Sequence, residues 1–260
     1  MRIAYLFNSS TPSSNPSSIQ VVNTCSAFVE LSNRVKLIVP NTGQKVLLRK
    51  FYGINKSPKL IKLKYFNKFP LGINYYLFSF LSIAYAIFDK TELYITRNIF
   101  NLVLLNILKK KVIIEIHHDV HNEGRLVKFL CKHINVFNKK NIVKIVAITN
   151  AVKKYLVKNF KIDPEKIEVI SSASSFKFKF RNLKKKKFYN IGYFGSLDSS
   201  KGTNFIIKLA KKDIHNKYSI YGGNQHDVSR LKKKGIPNNL KINQRVHYVK
   251  LKPIISKMDI

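Results

Sequence analysis

The amino-acid sequence predicts an α/β fold built on parallel β-sheets. Short runs of β-branched residues alternate along the chain with stretches of helical periodicity. Runs such as VIIEI (112–116) and VKIVAIT (143–149) are almost continuously apolar, which is typical of parallel strands covered on both faces. One polar segment interrupts the alternation, which then resumes, so two domains are expected rather than one.

The interrupting segment, SSASSFKFKFRNLKKKK (171–187), combines a serine cluster with a lysine run. We therefore predict a first domain at 1–172, a linker at 173–187 and a second domain at 188–260. A polar surface hairpin inside a single domain is the alternative.

The first domain begins with a strand at Arg2–Asn8 and a helix at Ile19–Leu31. The uncharged segment Phe69–Phe88 is about as long as a bilayer requires, but Pro70, Gly72 and several polar residues interrupt it. We therefore favour a buried or membrane-surface helix over a spanning one. Further strands are predicted at Val35–Pro40, Leu93–Thr96, Lys111–His117, Ile142–Thr149 and Ile167–Ser171, and a further helix at Asn150–Phe160.

The second domain repeats this pattern over a shorter length. Strands are predicted at Phe188–Phe194, at Tyr218–Tyr221 and around Val246–Val249, with a helix near Asp227–Lys234. Three strands are fewer than the five or six of a complete doubly wound sheet, so we expect this domain to be incomplete.

The chain is strongly basic, with 48 Lys and Arg residues, 13 Asp and Glu residues and a formal net charge of +35. Lysine supplies 40 of these cations and is spread along the whole chain, whereas base recognition relies on arginine. The composition therefore argues against nucleic acid as a partner and leaves an anionic membrane surface open.

Cys25 and Cys131 have no zinc-site spacing, and the N-terminus has no signal-peptide pattern. We expect a cytoplasmic protein, with peripheral association at the inner membrane face open.

The turn FGSLDSSKG (194–202) carries groups that suit a phosphate. Gly195 allows a sharp turn where a strand ends, the following helix offers free N–H groups, and Lys201 adds a mobile positive charge. The turn matches neither G-x-x-x-x-G-K-[ST] nor G-x-G-x-x-G. An ordinary turn with a solvated lysine is the alternative to a diphosphate site.

The segment IIEIHHDVHNEGR (113–125) places His117 and His118 after a buried strand, at the edge where open α/β sheets bind ligands. One reading takes His117 and His121 as metal ligands, although they lack the helical spacing of H-E-x-x-H. The other two readings are a hydrogen-bonded histidine pair that caps the sheet and a histidine that positions and polarises a bound sugar. We expect no metal.

The order of these segments resembles that of the GT-B glycosyltransferases of the retaining family 4, the "glycosyl transferases group 1" type. IIEIHHD resembles the family's strand ending in Glu-x-His, ELYITRN its Tyr-x-Arg segment, and IVAITNAVKKYLVKNFKIDPEKIEVI the end of its first domain. IGYFGSLDSSKGTNFIIKLA resembles the opening of its second domain, and YSIYGG the next strand. The resemblance covers essentially the whole chain.

The resemblance implies that a sugar passes from a nucleotide-sugar donor to a glycan or lipid-linked acceptor with retained configuration, in envelope or exopolysaccharide synthesis. It assigns Lys201 and Gly195 to the donor diphosphate and His117 to the transferred sugar. Because the nucleotide-sugar is a substrate, no cofactor is implied. The other candidates are Ser196 and Gly223 for the donor, and Ser10, Arg97 and His118 for the sugar or the acceptor.

Arg97 has a simpler alternative role, which is to pair with Glu92 or with another carboxylate near the strand end. The loop that contains Ser10 could equally be a solvated connection.

Two features depart from the family pattern. Ser196 stands where many members carry arginine, which removes one charge partner of the phosphate. The family's Glu-x7-Glu element would lie beyond Ile260. A non-catalytic or partner-dependent truncated remnant of such an enzyme is therefore the alternative function.

Overall fold

The chain folds into two compact units, Met1–Ala173 and Ser174–Ile260, each built on its own parallel sheet. The computed structural model describes residues 1–43, 46–65, 71–120, 123–174, 176, 186–233 and 235–260. Most of the predicted linker at 173–187 lies outside the described residues, and so does His121.

Unit 1 alternates strands and helices, as the sequence predicts. Its strands are β1 (Arg2–Leu6), β2 (Arg34–Pro40), β3 (Lys59–Leu63), β4 (Leu93–Thr96), β5 (Val112–Ile116), β6 (Ile142–Ala147) and β7 (Ile167–Val169). Its helices are α1 (Pro16–Glu30), α2 (Leu48–Tyr52), α3 (Leu71–Phe88), α4 (Ile99–Ile107), α5 (Arg125–His133) and α6 (Asn150–Phe160). The strands form one sheet in the order β3-β2-β1-β4-β5-β6-β7, and every neighbouring pair is parallel. The expected α/β class with parallel sheets is confirmed.

Apolar side chains cover both faces of this sheet. On one face Val112, Ile114 and Ile145 pack with residues of α3, α4 and α5. On the other face Tyr5 and Leu37 pack with residues of α1 and α2. Burial on both faces explains why the strands read as continuous apolar runs.

Helix α3 occupies the uncharged segment of the chain. It buries Phe78, Ser79 and Ser82, and the Ser82 hydroxyl donates to the Ser79 carbonyl oxygen at 3.0 Å. No helix in the described part of the chain is long and apolar enough to cross a membrane.

Unit 2 contains a smaller sheet of three parallel strands. The strands are β8 (Asn190–Phe194), β9 (Lys217–Tyr221) and β10 (Leu240–Asn243), in the order β10-β9-β8, and the helices are α7 (Thr203–Lys212), α8 (Gln225–Lys232) and α9 (Tyr248–Ile255). The prediction of a strand around Val246–Val249 is wrong, because the third strand is Leu240–Asn243. Leu240 and Ile242 are 4% and 5% exposed and supply the core, whereas Val249 is 40% exposed and lies in a helix.

One side-chain amide ties the end of α7 to the start of β10. Asn239 Nδ2 lies 3.1, 2.8 and 2.9 Å from the carbonyl oxygens of Ala210, Asp213 and Asn216. Removing this donor leaves carbonyl groups of a tight turn without this partner, which lowers the stability of the folded state.

We expect Asn239→Ala to lower the free energy of unfolding by about 2 kcal/mol, because the lost donor serves several carbonyl groups at once. Asn238→Ala removes an exposed amide next to it in the chain and is the matched control. Denaturant titration monitored by circular dichroism measures both. Equal midpoints for the two variants would contradict the structural role of Asn239.

Candidate functional site

The carboxyl ends of β1, β4 and β5 surround a cavity of about 360 Å³ in unit 1. Strand order reverses between β1 and β4, and ligands bind at such a reversal because the loops on either side diverge. The polar lining consists of Asn8, Ser9, Ser17, Tyr75, Arg97, Asn98, Glu115, His117, His118 and Glu123.

A buried ion pair forms one wall of the cavity. Arg97 follows β4, and its Nε donates to Glu115 Oε2 on β5 at 2.8 Å and lies 3.1 Å from the Tyr5 hydroxyl. The side chains of Arg97 and Glu115 are only 14% and 12% exposed. Glu92, the other partner considered for Arg97, pairs with Arg2 at 3.0 Å.

The guanidinium of Arg97 is only partly satisfied. Its Nη2 atom is buried and has no hydrogen-bond partner in the described part of the chain. A buried N–H group without a partner is rare in folded proteins, and here it belongs to a side chain that lines the cavity. A ligand oxygen is a suitable acceptor for it.

His117 joins the same cluster. Alternate residues of a strand lie on one face, so His117 follows Glu115 on the same side, and its Nε2 lies 3.3 Å from Glu115 Oε2. When Nε2 carries its proton and donates to this carboxylate, Nδ1 is the ring nitrogen left for a ligand.

Burial alone would raise the pKa of Glu115. The hydrogen bond from His117 and the charge and hydrogen bond of Arg97 outweigh burial, so the pKa of this carboxyl lies below its usual value. Glu115 is therefore a carboxylate at neutral pH.

His118 occupies a different position. Its side chain is 53% exposed, and its Nε2 lies 3.7 Å from Oε1 of Glu123. Burial raises the pKa of Glu123, and the charge of His118 opposes the rise. The structure thus joins His117 to the buried pair and leaves His118 near the solvent.

The opposite wall is a network of amides and hydroxyls that sequence reasoning missed. The Tyr75 hydroxyl donates to Asn98 Oδ1 at 2.5 Å, and Asn98 Nδ2 donates to Ser79 Oγ at 3.0 Å. Asn8 Nδ2 also lies 3.1 Å from Ser79 Oγ. Two features of the sequence could have indicated this network: the polar residues within the apolar segment of α3, and Asn98, which directly precedes α4.

The loop after β1 is held by hydrogen bonds. The Tyr52 hydroxyl contacts the Ser13 N–H and carbonyl oxygen at 2.7 and 2.9 Å, and Ser18 Oγ donates to the Ser10 carbonyl oxygen at 3.1 Å. Asn8 and Ser9 line the cavity, but Ser10, the candidate from the sequence, does not.

In unit 2 the turns after β8 and β9 meet at the carboxyl edge of the sheet. The Gly195 N–H donates to the Tyr221 carbonyl oxygen at 3.1 Å, and a Cβ on Gly222 would lie 1.7 Å from the Gly195 carbonyl oxygen. Gly223 has φ +61°, and a Cβ there would lie 2.8 Å from a methyl carbon of Leu197. The two turns approach this closely only because glycine occupies these positions.

Lys201 ends a short 3-10 helix, Ser199–Lys201, and its side chain is exposed. Gly202, with φ +76°, caps α7 and has no side chain to accept from the first-turn N–H groups. The Ser196 hydroxyl contacts the Asp198 carboxylate. Gly195, Ser196, Lys201 and Gly223 all belong to unit 2, on the adjoining turns that follow β8 and β9.

No protein-family model and no curated protein matches the chain. Solved structures match it over its whole length. HepE of Anabaena, in complex with UDP and glucose, has a TM-score of 0.68 and 15% identity, covering 100% of this chain and 73% of that one. Sucrose-phosphate synthase of Thermosynechococcus elongatus has a TM-score of 0.72 and 11% identity, covering 100% and 74%.

The fold is GT-B. A glycosyltransferase of Rickettsia africae shows the same likeness, with a TM-score of 0.62 and 17% identity, covering 99% of this chain and 72% of that one. The GT-B fold consists of two Rossmann-like units, and the three-stranded sheet of unit 2 is the smaller of the two here. At these identities the likeness shows the fold alone, because one fold can carry many different activities.

We expect Glu115→Gln to lower the free energy of unfolding at pH 7 by about 3 kcal/mol, because it leaves Arg97 buried without its counter-charge. The pKa of Glu115 is lower in the folded state than in the unfolded chain, where it is near 4.5, so the ionised carboxylate stabilises the fold at pH values above 4.5. This stabilisation is lost as the pH falls through the lower pKa of the folded state. The difference between wild type and variant should therefore shrink below about pH 4. Glu168→Gln, at an exposed position of β7, is the control, and a constant difference at all pH values would exclude the ion pair as its cause.

Gly222→Ala should lower the stability of unit 2 by about 2 kcal/mol, since the added Cβ forces the Gly195 turn aside. Gly72→Ala is the control, because among the described residues no atom outside its own helical turns lies within 4 Å of a Cβ built on Gly72. Thermal unfolding reports the difference, and backbone NMR shifts should locate the change at 193–198 and 221–224. Equal melting temperatures would show that the two turns do not meet as described.

Proposed function

We propose that the chain is a retaining glycosyltransferase that moves a sugar from a nucleotide-sugar donor to a glycan or lipid-linked acceptor, in envelope or exopolysaccharide synthesis. The observation that carries this proposal is the difference in chemistry between the two candidate sites, the unit 1 cavity and the unit 2 turns. No lysine is among the described residues that line the unit 1 cavity, which presents amides, hydroxyls, two histidines and two carboxylates, one of them paired with Arg97. The unit 2 turns present glycines, a helix N-terminus and Lys201.

A nucleotide-sugar has two parts with matching chemistry. Its sugar is uncharged and rich in hydroxyl groups, which suits the hydrogen-bonding groups of the cavity. Its diphosphate is anionic and suits the unit 2 turns, where Gly195 and Gly223 allow close approach and Lys201 supplies positive charge. Negative charge grows on the diphosphate as it leaves, so a cation placed there lowers the barrier.

At the sugar, the proposal assigns His117 to a hydrogen bond with a hydroxyl or with the ring region near the reacting carbon. Glu115 orients the imidazole through the contact at 3.3 Å, and the unpartnered Nη2 of Arg97 donates to a sugar oxygen. His118 lies near the solvent and is assigned to the acceptor side. Retention of configuration follows from the resemblance of the segments to family 4. The proposed reaction involves neither a metal nor a cofactor.

The similar structures support the substrate class and the setting. HepE was solved with UDP and glucose, and WaaB, a lipopolysaccharide outer core galactosyltransferase, matches with a TM-score of 0.60 and 14% identity over 96% of this chain. The proposal places the enzyme at the cytoplasmic membrane face, where lipid-linked acceptors are available and anionic lipids attract a chain of net charge +35.

We expect Lys201→Ala to lower the turnover of the donor about 100-fold while the fold stays intact, because the lost cation stabilises the leaving diphosphate. Lys208→Ala removes an exposed lysine from α7 and is the control. The assay measures nucleoside diphosphate released from a panel of nucleotide-sugars with added glycan acceptors. Equal rates in the two variants would refute the role of Lys201. Binding of UDP without any release would favour the partner-dependent alternative.

A further inference from the structure

A groove of about 760 Å³ opens at the amino-terminal edge of the unit 1 sheet. Its lining comes from the end of α4 and from the segments that lead into β5 and β6, whereas the candidate sugar cavity lies at the carboxyl ends of β1, β4 and β5. We call it the amino-edge groove and define it by Ile107, Ile134, Lys109, Lys111, Lys139 and Lys140. It takes no part in the proposed transfer reaction.

The apolar side chains of the amino-edge groove face water. Ile107 is 70% exposed and Ile134 is 41% exposed, and Leu108 beside them is 42% exposed. Large apolar side chains grouped on a surface are favourable only when another apolar phase covers them.

Hydrogen bonds hold the shape of the groove. Asn106 Nδ2 donates to the Val136 carbonyl oxygen at 2.8 Å, and Asn141 Nδ2 donates to the Lys110 carbonyl oxygen at 2.8 Å. Asn106 and Asn141 both line the groove, so its walls are tied together through the residues that form it. The groove is therefore a preformed surface.

Four lysines surround these apolar groups, and none of them forms an ion pair in the described part of the chain. The sequence has no Asp or Glu at 93–114 or at 124–162, the two stretches that supply the groove. Elsewhere lysines do find carboxylates, as Lys36 does with Asp89. The charge around the groove thus remains available to an external anion.

We propose that the amino-edge groove docks the chain on an anionic lipid bilayer, with Ile107 and Ile134 entering the headgroup region and the four lysines lying against lipid phosphates. Lysine ammonium groups are mobile point charges that suit a diffuse anionic surface, and the described residues that line the groove include no arginine to bind a specific carboxylate or phosphate pair. Exposed apolar groups inside a basic ring are the pattern of interfacial membrane binding. The inference extends the membrane setting of the proposed function, on which it rests for its biological purpose.

The test measures sedimentation of the full chain with vesicles of phosphatidylglycerol and phosphatidylcholine, and with vesicles of phosphatidylcholine alone. Lys139→Ser combined with Lys140→Ser should weaken partitioning onto the anionic vesicles about 25-fold, since each lysine at such a surface contributes roughly fivefold. The matched control, Lys50→Ser with Lys56→Ser, removes the same charge from exposed positions in and after α2, which packs on the other face of the sheet from α4. It should change partitioning less than about threefold, because salt screens charges away from the contact.

A second pair of variants tests the apolar contribution. Ile107→Ser should weaken partitioning about tenfold, whereas Leu31→Ser, at a position 73% exposed next to α1, should leave it unchanged. Circular dichroism confirms that each variant is folded. No nucleotide-sugar is present, so a failure here leaves the glycosyltransferase proposal standing, and a failure of the transfer assay leaves this one standing.

Three results would overturn the proposal. Equal losses in the two lysine pairs would show that diffuse charge, and not the groove, binds the vesicles. Equal binding to phosphatidylcholine alone would exclude recognition of anionic lipid. A dimer in solution that Ile107→Ser dissociates would show that a second copy of the chain covers the groove.

Discussion

The ion pair between Arg97 and Glu115 determines what the unit 1 cavity can bind. The two charged side chains are only 14% and 12% exposed at the ends of neighbouring strands, and each supplies the opposite charge that the other needs when it is buried. The pair aligns the ends of β4 and β5 and fixes the ring of His117 through the shared carboxylate. It also neutralises Arg97, while one Nη atom of this side chain has no hydrogen-bond partner among the described residues.

Charge is distributed unevenly over this basic chain, and the distribution follows the two edges of the unit 1 sheet. At the carboxyl edge, no lysine is found among the described residues that line the cavity, and two of the 13 acidic residues are there. At the amino edge, four lysines surround exposed isoleucines. The two proposed roles, sugar recognition and membrane attachment, would therefore use opposite ends of one sheet without competing for the same groups.

Local sequence patterns predicted most elements because periodicity is a local property. Leu93–Thr96 and Asn150–Phe160 have the predicted bounds, and both carry a complete apolar pattern within their own length. β3 went unpredicted because it is an edge strand whose two lysines, three positions apart, break the two-residue alternation of a strand and whose side chains are half-buried or exposed. The strand placed around Val246–Val249 failed because β-branched residues alone do not show which segment reaches the core.

By itself, the sequence determined the α/β class, the parallel sheets, the glycine turns and the identity of His117 and Lys201 as candidates. Only the tertiary structure decided that Arg97 pairs with Glu115 and not with Glu92, that Tyr75 and Asn98 complete the cavity, and that Ser10 stays outside it. The reason is that these contacts join residues between 18 and 90 positions apart in the chain. Such contacts follow from strand order, which is set by the packing of the whole unit and not by any local pattern.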